Sequence, residues 1–580
     1  MGIEIFRRPR VLAAQAAGLG VCLCVAGCEL GPNFSAPHAA VPAVYIQDAP
    51  GGGAPYASGD AVDPAWWERF NDPVLTALES RAVSQNLDLQ IATERLLEAE
   101  AQAQIAGAVL YPSLSGAASY TREGPSKEGI FTALGGAGSA GAANNAGTVA
   151  NGSPSSIGGG GASGSAIHAL DLYQYGLQSM YDLDLWGKNK RAVEAAVAAA
   201  AASEEARRAS LLNVEAEVAS AYISLRGTET VLGITQKNLD FARQLVDLTG
   251  ERQQAGLTTA LDVANAKAAA AQIESQIPTL VAQRDTYVEQ IGELLAETPE
   301  ALSGELTTPA AVPLTPPSVP IGLPADLLRR RPDVREAEDS LHEATAETGV
   351  AVASFFPDLS LSGSVSLQAL QFKNLNEFKA ITYAVGPELT LPIFEGGQLT
   401  GQLKLRQAQQ QEAALDYAKT VLTAFYQVDE ALIDYNQEHA TLDALKDDAQ
   451  QSQIALGLAE DQYKEGLADY LSVLNAQEDF LSAQQAEAQS VARLSGDLVT
   501  LYQALGGGWE QTFPDTTKVT LTVAQAAPAT EPPPVAAPDP APVAQPDPAP
   551  VTQPDATPVA QADAAPVAAR AGPLPSPLER

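Results

Sequence analysis

The chain has 580 residues, 46% of them hydrophobic but only 6% aromatic, and a formal net charge of −36. That length is enough for more than one ordinary domain. The charge argues against nucleic acid as a partner, because its phosphates need basic residues, and much of the apolar content is alanine in helical stretches.

Residues 1–27 read as an export signal. Arg7, Arg8 and Arg10 form a basic opening, which also fits a twin-arginine signal. The apolar run from Val11 to Val25 is too short to span a bilayer. It ends Val25-Ala26-Gly27-Cys28, which resembles the lipobox of bacterial lipoproteins; a cysteine inside an ordinary signal peptide is the alternative. The resemblance implies cleavage before Cys28, covalent lipid on that residue and a tether that does not span. Cys22 and Cys24 would leave with the signal, so one mature chain would hold no disulfide and no cysteine-based metal site. Glu29 follows where aspartate would signal inner-membrane retention, which favours the outer membrane.

Residues 28–65, rich in Pro, Ala and Gly, read as an extended arm. Helical periodicity begins after Trp66-Trp67, with Asp72 placed to cap a helix and Pro73 at its first position. The helix breaks near Asn86-Leu87-Asp88 and resumes to about Ala108. The period then drops to two. Tyr111 opens the run Y-P-S-L-S-G-A-A-S-Y, and Tyr173, Tyr175, Leu177, Tyr181, Leu183 and Leu185 alternate with Gln174, Gln178, Asp182 and Asp184. Downstream, Leu359, Leu361, Val365 and Leu367 alternate with Ser360, Ser362, Ser364 and Ser366. From 381 to 394, Ile381, Tyr383, Val385, Leu389, Leu391 and Ile393 do the same against Thr382, Glu388 and Thr390.

Side chains two apart share a strand face, so each segment has one apolar and one polar face. At roughly 10 residues each, the segments fit strands that cross an outer membrane; a sheet with a soluble outer face reads the same way. Four strands in two hairpins cannot close a barrel, and an open edge in hydrocarbon leaves N–H and C=O groups unpaired. In a membrane, therefore, several chains must share one barrel, and three chains would supply 12 strands. Tyr173, Tyr175, Tyr181 and Tyr383 would suit aromatic belts at the membrane surfaces. The first hairpin's connection, 122–170, is long and dominated by Gly, Ala, Ser and Asn, which predicts flexibility; the second, 368–380, is short.

A helical pattern from 188 to 251, roughly 65 residues or about 100 Å long, suits a coiled coil or helical tube. It turns at Ala255-Gly256-Leu257-Thr258 and returns to about Glu297. The pattern repeats from Gly397 to Lys464, turns at Glu465-Gly466-Leu467-Ala468 and returns to Leu505. Pro112, Leu114 and Ser115 match Pro357, Leu359 and Ser360 at an offset of 245, and Gly256-Leu257 match Gly466-Leu467 at 210. The chain is therefore an internal duplication, repeat one at 66–320 and repeat two at 321–509. The longer loop 122–170 accounts for the change of offset and lies at the far end of the strands from the helices. Residues 510–580 lose periodicity. The unit PDPAPVAQ and three variants of it follow from Pro538, dense enough in proline to predict a solvated, polyproline-like tail or spacer.

Pro324–Glu338 reads PADLLRRRPDVREAE, Ala65–Leu75 reads AWWERFNDPVL, Leu391–Gly397 reads LPIFEGG and Ala504–Trp509 reads ALGGGW. These stretches resemble the outer-membrane efflux lipoproteins, the NodT-type subgroup of TolC-like outer-membrane factors in RND-type tripartite pumps. The resemblance runs from Cys28 to about Trp509. It implies an α+β membrane protein: a homotrimeric 12-stranded β-barrel, four strands per chain, continued by a long periplasmic α-helical barrel. It also implies a periplasmic adaptor and an inner-membrane transporter as partners, outer-membrane lipid around the barrel, and passive export of small molecules. Export of protein through a type I system is the near alternative, and a non-conducting coiled-coil scaffold the distant one.

By the same resemblance the helical tips hold the gate. Its constriction residues would be Asp262, Asn265, Asp469, Ser472 and Asn475, and its adaptor-contacting residues Gly256, Leu257, Gly466 and Leu467. One aspartate per chain near a three-fold axis makes a ring that selects cations; the family often has Asp where Asn475 stands. Local reasons compete. Thr259-x-x-Asp262 reads as a capping box, Asp469 as an N-cap, and the glycines as turn residues. Arg329–Arg331 with Pro332 read as a helix start. His38, His168, His342 and His439 are scattered singly, and no phosphate loop, nucleophile elbow or metal-ligand pair is seen. The sequence therefore predicts no catalytic residue, no metal and no cofactor beyond the lipid.

Overall fold

The computed structural model describes residues 29–37, 56–58, 62–123, 170–306, 308–316 and 319–515. Cys28, His38 and His168, loop residues 124–169 and the tail from 516 lie outside the described residues. What is described belongs to one compact unit within 1–522.

A short strand β1 (Tyr56–Ser58) precedes a 3-10 turn at Trp66–Phe70 and helices α1 (Pro73–Gln85) and α2 (Leu87–Ala108). The Asp72 carboxylate accepts from the Val74 and Leu75 amides and Pro73 fills the first position, as the sequence predicts, and the Asn86 side chain caps α2 through Leu89 at the predicted break. Strands β2 (Ser113–Glu123) and β3 (Leu170–Leu183) lead into α3 (Lys188–Gln254) and α4 (Ala260–Leu294). Then come α5 (Pro299–Leu306), β4 (Val319–Gly322), α6 (Pro324–Arg330), α7 (Pro332–Ala353), β5 (Asp358–Ala369), β6 (Ile381–Thr390), α8 (Gln398–Lys464) and α9 (Tyr470–Leu505). Helices α3 and α8 are both 67 residues, so each is about 100 Å long. β1 and β4 pair in parallel as a two-stranded sheet beside them.

The other four strands form one antiparallel sheet in the order β2-β3-β5-β6. Its register settles the faces. Ala118 stands opposite Tyr175, Tyr175 opposite Leu367 and Leu367 opposite Ile381. Leu177, Val365 and Tyr383 are likewise in line one step on. Directly opposed residues share a face, so the alternating apolar residues of all four strands fall on one side, and Ser115, Gln178 and Ser364, together with Leu172, Met180 and Ala384, on the other. An added Cβ at Gly176 would collide with the Val365 carbonyl oxygen; glycine there admits the close approach of β3 to β5 that joins the two hairpins. Trp186, just past β3, reinforces that joint by stacking on Phe356 at 5.0 Å and donating to the Pro357 carbonyl at 2.8 Å.

Two boundaries differ from the sequence reading. The fourth strand ends at Thr390, because Pro392 has no amide to continue the ladder, and Leu391–Phe394 are not strand. The first strand begins at Ser113 and runs on to Glu123, paired with Leu170, so regular structure reaches into the segment read as loop. Among the described residues no helix is long and apolar enough to cross a membrane.

The largest apolar cluster sits around the middle of the long helices, where Trp66, Leu75 and Leu78 pack on Tyr222 of α3 and on Tyr435 and Tyr502 of α8 and α9. Two smaller clusters continue toward the tips. Arg226, only 2% exposed, crosses this girdle. Its Nη1 donates to Glu229 Oε2 at 2.7 Å and to the Thr308 carbonyl at 2.9 Å, and the guanidinium lies 4.9 Å from the Tyr222 ring. Tyr222 in turn donates to Asp72 at 2.9 Å, so one cation ties α3 to the chain after α5 and to the start of α1. Removing it strands a buried carboxylate. Arg226→Ala is expected to destabilise the detergent-solubilised protein by about 3–5 kcal/mol, and R226A/E229A by less than the single variant, read from thermal unfolding at pH 7.

Candidate functional site: the helical tips

At the end of α3 Gly256 adopts φ +73, and at the end of α8 Gly466 adopts φ +77. A Cβ at either would meet nothing within 4 Å, so the left-handed backbone, and not crowding, requires glycine. The Leu257 amide donates to the Arg252 carbonyl at 2.8 Å and the Gly256 amide to Gln253 at 2.9 Å. Leu467 to Gln462 (2.8 Å) and Gly466 to Tyr463 (3.0 Å) repeat the pattern, which is the paired closure of a Schellman motif. Leu257 and Leu467 are left 68% and 75% exposed at the very ends of the molecule's long helices.

The next helices start with deliberate caps. Asp262 Oδ2 accepts from the Thr258 hydroxyl (2.6 Å), the Thr259 hydroxyl (2.7 Å) and the Thr259 amide (2.9 Å), and the Asp262 amide returns a bond to Thr259 Oγ1. Asp469 Oδ1 accepts from the Ser472 hydroxyl at 2.6 Å and its amide at 3.1 Å. These bonds, the Thr258 and Ser472 hydroxyls first, hold both carboxyls below the usual aspartate range. The two tips are electrostatically joined: the Asp262 charge acts on both Asp469 and Tyr470. Tyr470 is pushed up to about 12, chiefly by burial. Asn265 sits half-buried one turn beyond Asp262, and Ser472 and Asn475 are exposed on α9.

Arg252 is the residue that the sequence reading passes over. Its Nη1 donates to the Tyr463 carbonyl at 2.9 Å and to Lys464 at 3.4 Å, and its guanidinium lies 4.5 Å from the Tyr463 ring centre. Tyr463 meets Tyr470 edge-on at 6.0 Å. A cation from repeat one thus caps the last carbonyls of α8, where the helix dipole is negative. The repeat offset of 210 aligns Arg252 with Gln462, so no matching arginine marks the position.

Both capping carboxyls have folded values below their unfolded ones. Their contribution is therefore present above the ordinary carboxylate range and is lost as pH falls through the lowered value. Below about pH 4 the turn at 255–262 is expected to loosen, seen as faster amide exchange in peptides covering it. Asp262→Asn, which cannot lose that charge, is expected to lack the acid step while exchanging faster at neutral pH.

Comparison with known proteins places this geometry. Residues 78–297 and 323–507 match the family described as outer membrane efflux protein. The chain is 30% identical to Nodulation protein T of Rhizobium leguminosarum bv. trifolii, with 84% of this chain and 96% of the relative covered. It is 31% identical to the antibiotic efflux pump outer membrane protein ArpC of Pseudomonas putida, with 84% and 94% covered. The solved outer-membrane channel OprN superposes with a TM-score of 0.73 at 30% identity, with 83% of this chain and 100% of that one covered. With both repeats, the sheet and the tips inside the matched regions, this chain belongs to the outer membrane efflux protein family.

Proposed function

We propose that the chain is the outer-membrane exit duct of an efflux pump, and that three copies complete one 12-stranded barrel and one helical tunnel. The observation that carries this reading is the sheet itself. Among the described residues it has one largely apolar face left open, one largely polar face, and two unpaired edges, β2 and β6. Such edges are stable in a membrane only when another strand pairs with them. Along α8, Leu415, Leu422, Tyr426 and Ile433 are exposed at spacings of seven, four and seven, a heptad seam without a partner helix among the described residues. Neighbouring copies supply both missing partners, and the apolar sheet face meets lipid while the polar face lines the lumen.

The N-terminal residues support a lipid tether at Cys28. The Leu30 amide donates to the Trp186 carbonyl at 3.1 Å, Gly31 lies against Gly349, and Arg191 holds the Leu30 carbonyl and the Asn33 side chain. Glu29 is therefore fixed at the junction of strands and long helices, where an acyl chain on the preceding residue would enter the inner leaflet. The four exposed tip leucines, Leu257, Leu261, Leu467 and Leu471, suit contact with an adaptor that links the duct to an inner-membrane transporter. Asp262 and Asp469, with Asn265, Ser472 and Asn475 beside them, would line the constriction, and Arg252 would hold it narrow. The duct itself does no work, and the transporter supplies the energy.

Adjacent residues of β5 provide a sharp test. Val365→Arg is expected to cost about 2–4 kcal/mol at the bilayer midplane and to remove the protein from the outer membrane, whereas Ser364→Arg assembles and shifts ion selectivity. Equal tolerance of both would refute the membrane reading. In cells, deletion is expected to sensitise to a panel of antibiotics, dyes, detergents and metals, with rescue by the wild-type gene and weaker rescue by Cys28→Ala. In planar bilayers Arg252→Ala is expected to conduct more than wild type. A variant that never conducts would favour a scaffold.

A further inference from the structure

Two carboxyls in the girdle have no role in the duct reading. Glu79 of α1 is 1% exposed and Glu215 of α3 is 0% exposed, and all four of their oxygens lack a hydrogen-bond partner among the described residues. The buried Trp66 Nε1 beside them is also unpartnered. The chain segment that follows α9 lies directly on this group. A Cβ added at Gly508 would collide with Glu215 Oε2 and stand 3.4 Å from Trp66 Nε1. Gly508 takes φ +138, and its amide donates to Glu510 Oε2 at 2.9 Å. Glycine lets the backbone lie between carboxyl and indole.

The surrounding charges are all engaged elsewhere. On the C-terminal segment Glu510 pairs with Arg330 of α6 at 3.0 Å, and Asp515 with Arg208 and Arg335 at 2.8 Å each. On α1, Arg81 reaches out to Glu297 and to Glu305. Beside Trp66, Arg69 pairs with Asp63 at 3.1 Å; on α3, Tyr222 is bonded to Asp72 at 2.9 Å, and on α9 Tyr502 stacks on Trp66 at 5.4 Å. Among the described residues no cation offsets Glu79 or Glu215. The charges that act on them are like ones: Glu215 on Glu79, and Glu510 on Glu215.

We propose that Glu79 and Glu215 form a buried proton-linked lock: while both carboxyls are protonated and neutral the C-terminal segment 506–515 stays packed over α3, and in alkali their charge releases it. Burial first, and then these like charges, raise both groups well above the ordinary carboxylate value. The folded chain therefore keeps protons that the unfolded or opened chain has already lost, and the seam weakens as pH rises from the carboxylate range through the raised values. Ionised Glu215 would face Glu510 across Gly508, and that repulsion acts on the segment from which residues 516–580 continue.

The test is hydrogen exchange of the full-length protein in detergent between pH 6 and pH 9, corrected for the intrinsic rate, on peptides covering 500–515 and 66–85. Wild type is expected to lose protection there by up to about tenfold per pH unit for each carboxyl, with the tips unchanged. E79Q/E215Q, neutral at every pH, is expected to keep its protection. Gly508→Ala, a steric lesion, is expected to open the segment equally at both ends of the range. Equal alkaline loss in wild type and the double Gln variant would overturn the lock, as would full wild-type protection at pH 9. If the double variant does not assemble, wild-type tryptophan emission decides. A reversible red shift over the same range supports the proposal, and a flat titration rejects it.

Discussion

The constraint on which the rest of this structure depends is the unpaired backbone at the two edges of a four-stranded sheet. In water such an edge is a liability; in hydrocarbon each free N–H or C=O costs several kcal/mol. The sheet cannot close on itself with four strands, and its apolar face is too continuous to leave in water. On the proposed reading, partner copies that pair with both edges meet that demand. Joining the hairpins within one chain makes its own demand at Gly176, where a side chain would hold β3 away from the Val365 carbonyl.

The girdle solves a different problem. Helices of 67 residues have no compact core of their own, and a bare pair would be held only by a narrow seam. Short elements packed around their middle provide breadth. Arg226, Tyr222 and Asp72 connect three of those elements, while Trp509 is enclosed by Arg208 and Arg335 with its Nε1 on the Arg330 carbonyl at 2.9 Å. The stretch Leu328–Pro332 thus does more than start a helix. Arg331 bonds the Ala504 carbonyl at 2.9 Å as well as Asp333, so the arginines bind the end of α9 and the segment after it to the junction of α6 and α7.

What the sequence made legible is what periodicity and local chemistry encode. Alternation at 359–367 and 173–185 assigns each residue to a face, and the observed register keeps those faces in line across all four strands. Thr259 with Asp262, Asp72 with Pro73, and Gly256 with Gly466 announce caps and turns because their bonding partners lie within a few residues. Pro392 shows the limit of pattern reading: the alternation continues to Phe394, but the ladder stops where the amide is missing. Contacts that span the repeats were illegible. Arg252 finds Tyr463 across 211 residues, and nothing around either position signals the other. Nothing around Glu79 or Glu215 in the sequence marks them as buried, since their burial follows from how the girdle closes over them.

On the proposed reading the tips must be held shut yet open on demand. Each Schellman turn and capping box is complete within its own hairpin, so the turns stay intact whether or not the hairpins touch. At the tips themselves the contacts between hairpins are few: Arg252 on two carbonyls and over the Tyr463 ring, and a small apolar cluster around Val473. A partner that competes for the carbonyls at Tyr463 and Lys464, or that draws Arg252 away, need not unfold either turn to part them. The tip therefore combines rigid ends with a weak seam, which is the arrangement a gate requires, since the free energy that separates its states must be small enough for a docking protein to supply.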